Sequence, residues 1–377
     1  MTLRRFLSYV LVAAVSATVA FALPRDGGKL DRLDSLIEER FIGESDRQAR
    51  LDAAANAMVE ASGDRWSYYM SAEEYALQQE QSENAFVGVG ITISQEEEGG
   101  FRILAVSPGS GAAEAGLAPL DLLVAVDGQD VRQADLAQVR ALVTGKPGTT
   151  VNLEIVRDGN SLTYTVQRRR IETPVAAWQM LSQNTALVRI YNFDSRCAQE
   201  TIAAIEGALA SGARQIIFDV RNNPGGYASE LVAVLDYLLP EGELFRTVRY
   251  DGKEQVDMSD ESCLDIPMAV LVNRHSYSAA EFFAAALAEY DAAIVVGEQT
   301  VGKGYFQLTY PLGDGSAVAL SVGKYYTPKG VSLADTGITP DVEVTLSSQQ
   351  EAALAAGTLA PEEDPGILQA LEALNGP

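Results

Sequence analysis

At 377 residues, with 47% hydrophobic and 21% charged side chains, the chain is long enough for two or three packed domains and too apolar to be disordered. A formal net charge of −24 leaves nothing to neutralise phosphates, which excludes a nucleic-acid-binding role. The single histidine, His275, and the two cysteines, Cys197 and Cys263, stand in no metal-ligand spacing, so no metal and no cofactor is expected; the cysteines either pair outside the cell or stay as buried thiols.

Arg4 and Arg5 precede an uncharged apolar stretch, residues 6–23, that reads as a signal peptide or signal anchor, with Ala20-Phe21-Ala22 as a cleavage site. Its length, close to the roughly 20 residues that span a bilayer, favours a retained anchor. Membrane-anchored or secreted, the expected location is extracytoplasmic. Over residues 24–75 the apolar positions Leu30, Leu33, Ile37 and Phe41, then Leu51, Ala54, Met58 and Val59, predict two amphipathic helices around Gly43-Glu44-Ser45. Residues 76–170 read as a module of short strands, with turns at Glu98-Gly99-Gly100, Asp127-Gly128 and Asp158-Gly159 and one helix over residues 133–143.

Beyond Pro174 strands and helices alternate and predict an α/β core over residues 171–346: strand 186–190, helix 198–210, strand 215–220, helix 228–239, then strands 268–272 and 293–297. Between the second strand and its helix lies Arg221-Asn222-Asn223-Pro224-Gly225-Gly226. Such glycines make a tight turn and also expose N–H groups that can hold developing negative charge. Strand 268–272 delivers Ser278 to the mouth of the alanine-rich helical run 282–288. A serine there is commonly a helix cap. As a nucleophile it needs a base, and His275, only three residues away, is too local to serve it. A lysine can do the work when neutral, its pKa brought down from about 10.4 to near 7 by burial in an apolar pocket. Lys303, between Gly302 and Gly304 after strand 293–297, is where the chain can bring such a lysine close and keep it dry. A hairpin turn is expected at Leu312-Gly313-Asp314-Gly315-Ser316, and residues 347–377 read as a peripheral helical tail.

Asn273-Arg274-His275-Ser276-Tyr277-Ser278-Ala279-Ala280-Glu281, followed by Gly302-Lys303-Gly304-Tyr305-Phe306-Gln307, resembles the active-site signature of the carboxyl-terminal processing (tail-specific) serine proteases. Tyr277 and Val301 depart from the usual residues without removing a catalytic atom. Asp64-Arg65-Trp66-Ser67-Tyr68-Tyr69 is similar to a further segment of that family, although its aromatics can equally be plain core. The resemblance implies an α/β protease core of Clp protease/crotonase type. It makes Ser278 the nucleophile and Lys303 the general base of a serine endopeptidase. Gln307, one helical turn or so further on, would orient the lysine, and Gly225 or Gly226 with Ala279 would form the oxyanion hole.

Phe86-Val87-Gly88-Val89-Gly90-Ile91, Ser107-Pro108-Gly109-Ser110-Gly111 and Asp121-Leu122-Leu123-Val124-Ala125-Val126-Asp127-Gly128 are similar to a mainly β PDZ domain. Leu120 stands where a glycine is usual. The implied carboxylate donors lie near Val89, Gly90 and Ile91. Leu136, Val139 and Val143 would line the groove, giving a preference for protein or peptide substrates with apolar carboxyl termini. The α-helical amino-terminal segment implies a homodimer. A catalytically silent PDZ scaffold, or a crotonase-like acyl-CoA enzyme on the same core, are the other readings of these modules.

Overall fold

In the computed structural model residues 28–376 are described; the leader, residues 1–23, lies outside the described residues. Among the described residues no helix is long and apolar enough to cross a membrane. Asp46 caps the second of two leading helices, α1 (Lys29–Arg40) and α2 (Arg47–Glu60), and Asp34 clamps the pair through Arg47 and Arg50. Neither helix buries a residue fully. The amino-terminal segment is not wholly helical. Strand β1 (Tyr68–Met70) pairs antiparallel with residues 317–319, where Met70 is buried on Ala317 and Ala319. Aromatic side chains take a strand once a distant edge is offered, and local sequence does not announce that edge. Helix α3 (Ala72–Ser82) follows, opened by a reciprocal Ser71–Glu74 cap.

The module of short strands comprises β2 (Ala85–Gly88), β3 (Ile91–Gln95), β4 (Phe101–Val106), a one-turn helix α4 (Gly111–Ala115), β5 (Leu122–Val126), β6 (Gln129–Asp130), α5 (Leu136–Val143), β7 (Thr150–Arg157), β8 (Asn160–Gln167) and β9 (Arg169–Glu172). Its sheet runs β3-β4-β5-β7-β8 with β6 on β5, around fully buried Phe101, Ile103, Leu123, Leu153 and Ile155. Asp127-Gly128 and Asp158-Gly159 all adopt positive φ, the geometry of two-residue hairpin loops, as expected. Helix α5 starts three residues later than predicted because Asp135 takes the cap position and accepts from the Gln138 N–H. Strand β2 pairs with β9, so the chain enters and leaves the module side by side.

The core comprises β10 (Ala176–Met180), β11 (Thr185–Ile190), α6 (Cys197–Ala210), β12 (Gln215–Asp219), α7 (Ala228–Leu238), β13 (Gly242–Arg249), β14 (Glu254–Ser259), β15 (Met268–Val272), α8 (Ala279–Glu289), β16 (Ala293–Gly297), β17 (Tyr305–Pro311), β18 (Ala317–Tyr326), β19 (Val342–Glu343), α9 (Ser348–Ala355) and α10 (Pro365–Asn375). Its main sheet has the order β10-β11-β12-β15-β16-β19, parallel from β11 onward with β10 as an antiparallel edge. Strand side chains alternate between two covered faces. Ile216, Phe218, Val270 and Val272 meet the helices α6, α7 and α8, while Ile217, Ala269, Leu271 and Val296 meet Ile367 and Ala370 of α10. Strands β1, β18, β13 and β14 with β17 form a second, antiparallel sheet.

The carboxyl-terminal helices are therefore not a peripheral tail: α10 closes the second face of the parallel sheet. It is also tied by charge, since Asp364 pairs with Arg221 at 2.7 Å, and Arg221 and Arg189 both pair with buried Asp219. Burial alone would raise the Asp219 carboxyl, but the two guanidiniums overcome it and hold it below the usual carboxylate range. Neither cysteine forms a disulfide; Cys197 is buried and Cys263 is exposed.

Candidate active site

Three loops at the carboxyl ends of the adjacent parallel strands β12, β15 and β16 converge on one place. Strand β15, buried throughout, ends in a turn stitched to the turn after β12: Asn273 Oδ1 accepts from the Asn222 N–H at 3.0 Å, and the Ser276 hydroxyl donates to the Val220 carbonyl at 2.7 Å. Ser276 is thereby structural. Ser278 follows with φ +58° and ψ −127°, a backbone conformation costly for any residue with a side chain. A sharp strand-to-helix turn of this kind lifts a hydroxyl away from the helix it opens. The Ser278 hydroxyl makes no capping hydrogen bond with α8, so the helix-cap alternative does not describe it.

Lys303 lies in the loop between β16 and β17. Gly302 has φ +82°, and a Cβ on it would come within 2.8 Å of the Thr336 nitrogen, so this turn admits no side chain. The loop packs flat on residues 334–337 as a result. Lys303 Nζ lies 5.2 Å from the centre of the Trp66 ring and 5.8 Å from that of Tyr277. Burial pulls its pKa below the ordinary value of 10.5, with the Glu281 and Asp64 carboxylates pulling the other way. Trp66 is thus a wall of the lysine's site, although its indole N–H has no partner among the described residues.

Glu281, fully buried, joins the two loops. Its Oε2 accepts from the backbone N–H of Ser278 at 2.9 Å and from that of Lys303 at 2.9 Å, while Oε1 accepts from the Gly302 N–H at 2.7 Å and from the Thr300 hydroxyl. The sequence held a signal for it: Ser278-Ala279-Ala280-Glu281 has the spacing of a capping box. That spacing accounts for the bond to Ser278 but says nothing of the reach to residues 300–303.

Ser278, Lys303, Gln307, Gly225 and Gly226 all line one cavity of about 710 Å³. Gln307 is on strand β17, not a helical turn beyond the lysine, because residues 305–311 pair with β18. Its Nε2 donates to the Ser321 hydroxyl at 3.0 Å and not to Lys303. Gly225 cannot donate in the resting molecule, since its N–H is taken by Asn223 Oδ1 at 2.8 Å. The N–H groups of Gly226 and Ala279 make no hydrogen bond among the described residues. A Cβ at Gly225 would sit 2.9 Å from the Ala279 nitrogen, so these donors lie beside Ser278.

In the strand module, the carbonyls of Val89 and Gly90 accept from Ala112 and Ser107 at 2.9 Å each, while their N–H groups make no bond among the described residues. Ile91 opens β3 next to them. The groove lining departs from expectation. Val139 and Val143 are buried in the module's core, because α5 turns its i, i+4 face inward, and of the three residues only Leu136, 51% exposed, reaches solvent.

The profile of peptidase family S41 matches residues 184–344, and that of a PDZ domain matches residues 102–157. The carboxy-terminal processing protease CtpA of Bacillus subtilis is 32% identical over 84% of this chain and 69% of its own length. The carboxyl-terminal-processing protease of Synechocystis is 32% identical over 84% of this chain and 77% of its own. Among solved structures, the photosystem II D1 C-terminal processing protease superposes with a TM-score of 0.51 at 26% identity, covering 88% of this chain and 91% of that one. The chain belongs to peptidase family S41, the carboxyl-terminal processing proteases, and is a serine-type endopeptidase with a PDZ domain and a Clp protease/crotonase-type core.

Proposed function

We propose that peptide-bond hydrolysis runs on a Ser278/Lys303 dyad. The observation that carries this is the single Glu281 oxygen that receives the N–H of both residues while both side chains face one cavity. Neutral Lys303 takes the Ser278 hydroxyl proton as Oγ attacks the scissile carbonyl. The developing oxyanion is held by the N–H groups of Gly226 and Ala279, with Gly225 shaping the turn. The lysine ammonium then protonates the leaving amine, and water releases the acyl enzyme. Gln307 orients the lysine through its Oε1, which accepts no hydrogen bond among the described residues.

Substrates are recruited by their carboxyl termini. The N–H groups near Val89, Gly90 and Ile91 capture the carboxylate, and the peptide lies beside β3 with its last apolar side chain against Leu136. Two molecules associate through α1 and α2, where Leu30, Leu33, Leu36, Leu51 and Met58 stay exposed on helices with no buried residue.

A serine-directed phosphonate is expected to label Ser278 and no other residue, and Lys303→Ala to slow labelling at least about 100-fold while the circular dichroism spectrum is retained. Because the reactive lysine is the neutral form and its folded pKa is lowered, labelling should rise with pH to a midpoint below 10.5. Labelling elsewhere, an unslowed Lys303→Ala, or a rate that falls as pH rises would refute the dyad. Amidating the terminus of a peptide substrate should raise KM about tenfold with little change in kcat; equal KM values would remove the PDZ domain from recruitment. Sedimentation equilibrium should give a dimer that Leu33→Asp with Leu36→Asp converts to monomer, and a wild-type monomer at every concentration would contradict the dimer.

A further inference from the structure

One carboxylate in the catalytic cavity has no part in the mechanism above. Asp194 follows Phe193, whose N–H donates to the Gly225 carbonyl at 2.7 Å and whose carbonyl accepts from the Tyr227 N–H at 2.8 Å. Residue 194 is thereby pinned beside the glycine turn that carries the oxyanion donors, and its side chain lines the same cavity as Ser278 and Lys303. The fold pairs its other enclosed aspartates with care: Asp121 with Arg157, and Asp219 and Asp364 with Arg221. Asp194 has no such partner. Among the described residues its carboxylate accepts no hydrogen bond and meets no cation at ion-pair distance. Arg196, two residues on, turns away to Glu200 and to the carbonyls of Glu83 and Thr173. Lys303 takes its field from Glu281 and Asp64 instead.

We propose that Asp194 is a specificity subsite for a cationic side chain of the substrate, a lysine or arginine flanking the scissile bond. The proposal rests on the reading of this cavity as the peptidase site. A partly buried carboxylate without a partner gains when a cation arrives, because pairing offsets the desolvation it already bears. That burial, with the nearby Glu230 carboxylate, pushes the Asp194 pKa up to about 6, so at neutral pH it is ionised and available. The Tyr277 and Tyr227 rings on the same wall offer flat surfaces along which an aliphatic stem can lie.

The test is a set of equal-length peptides in which one lysine is moved through the positions on either side of the scissile bond, each compared with norleucine at that position. At one position the lysine peptide should be cleaved with about tenfold higher kcat/KM, and Asp194→Asn should bring that ratio to about one. A preference arising from the net charge of −24 would survive Asp194→Asn, which removes a single charge, and that result would overturn the proposal. A ratio near one at every position in the wild type would overturn it too. Fluorescence anisotropy on Ser278→Ala reads binding without turnover. There the same preference in Kd, again abolished by Asp194→Asn, is expected; equal affinities overturn the subsite. If that preference is found while the wild type cleaves none of the peptides, cation binding at Asp194 stands and the reading of the cavity as the peptidase site falls.

Discussion

A buried carboxylate has to be satisfied, and Glu281 is satisfied only by drawing two separate loops onto itself. Its four donors come from the serine turn and from residues 300–303. The carboxylate also sits in the first turn of α8, where the helix's positive end favours it. Leaving such a group half-paired costs a few kcal/mol, so the lysine loop is held far more tightly than its glycine-rich sequence would suggest.

The rest of the core supplies what that clamp needs. Parallel strands β12, β15 and β16 end at one side of the sheet, which places the glycine turn, the serine turn and the lysine loop next to one another, as crevices at the carboxyl ends of parallel strands generally do. On the far face α10 covers the sheet, and Asp364 reaches Arg221 at the root of the glycine turn. In front, Trp66 and Tyr277 flank Lys303, and helix α3, running into the PDZ domain, contributes Tyr75 and Gln78 to the cavity wall. Packing, charge pairing and aromatic cover thus hold partly buried Lys303 and Ser278, in its strained turn, on the wall of one cavity.

Much of this was legible in the sequence where the signal is local. The apolar pentads that became β15 and β16, the alanine-rich run of α8, and the aspartate-glycine hairpins all declare themselves by period and turn chemistry. What escaped depends on partners distant in the chain. Strands β13 and β14 alternate weakly and are defined by pairing with β18 and with each other. The tail looked peripheral because its apolar face makes sense only against Leu187 and Ile217. Val139 and Val143 looked like groove residues because spacing alone cannot say which side of a helix meets the core. Glu281 was hidden by an adequate local explanation, the cap of its own helix, and Asp194 by standing in no motif at all.

The coupling through Glu281 is tested most directly by the pH dependence of phosphonate labelling at Ser278 in Glu281→Gln beside the wild type, both verified as folded by thermal melting. Turning one of the two acceptor oxygens into an NH2 that must face at least one backbone N–H should lower the maximal rate about 100-fold by loosening the serine and lysine loops. Loss of the nearby anion, which favours the lysine's ammonium form, should move the midpoint to lower pH. A folded Glu281→Gln protein with the wild-type rate and the wild-type midpoint would contradict the coupling.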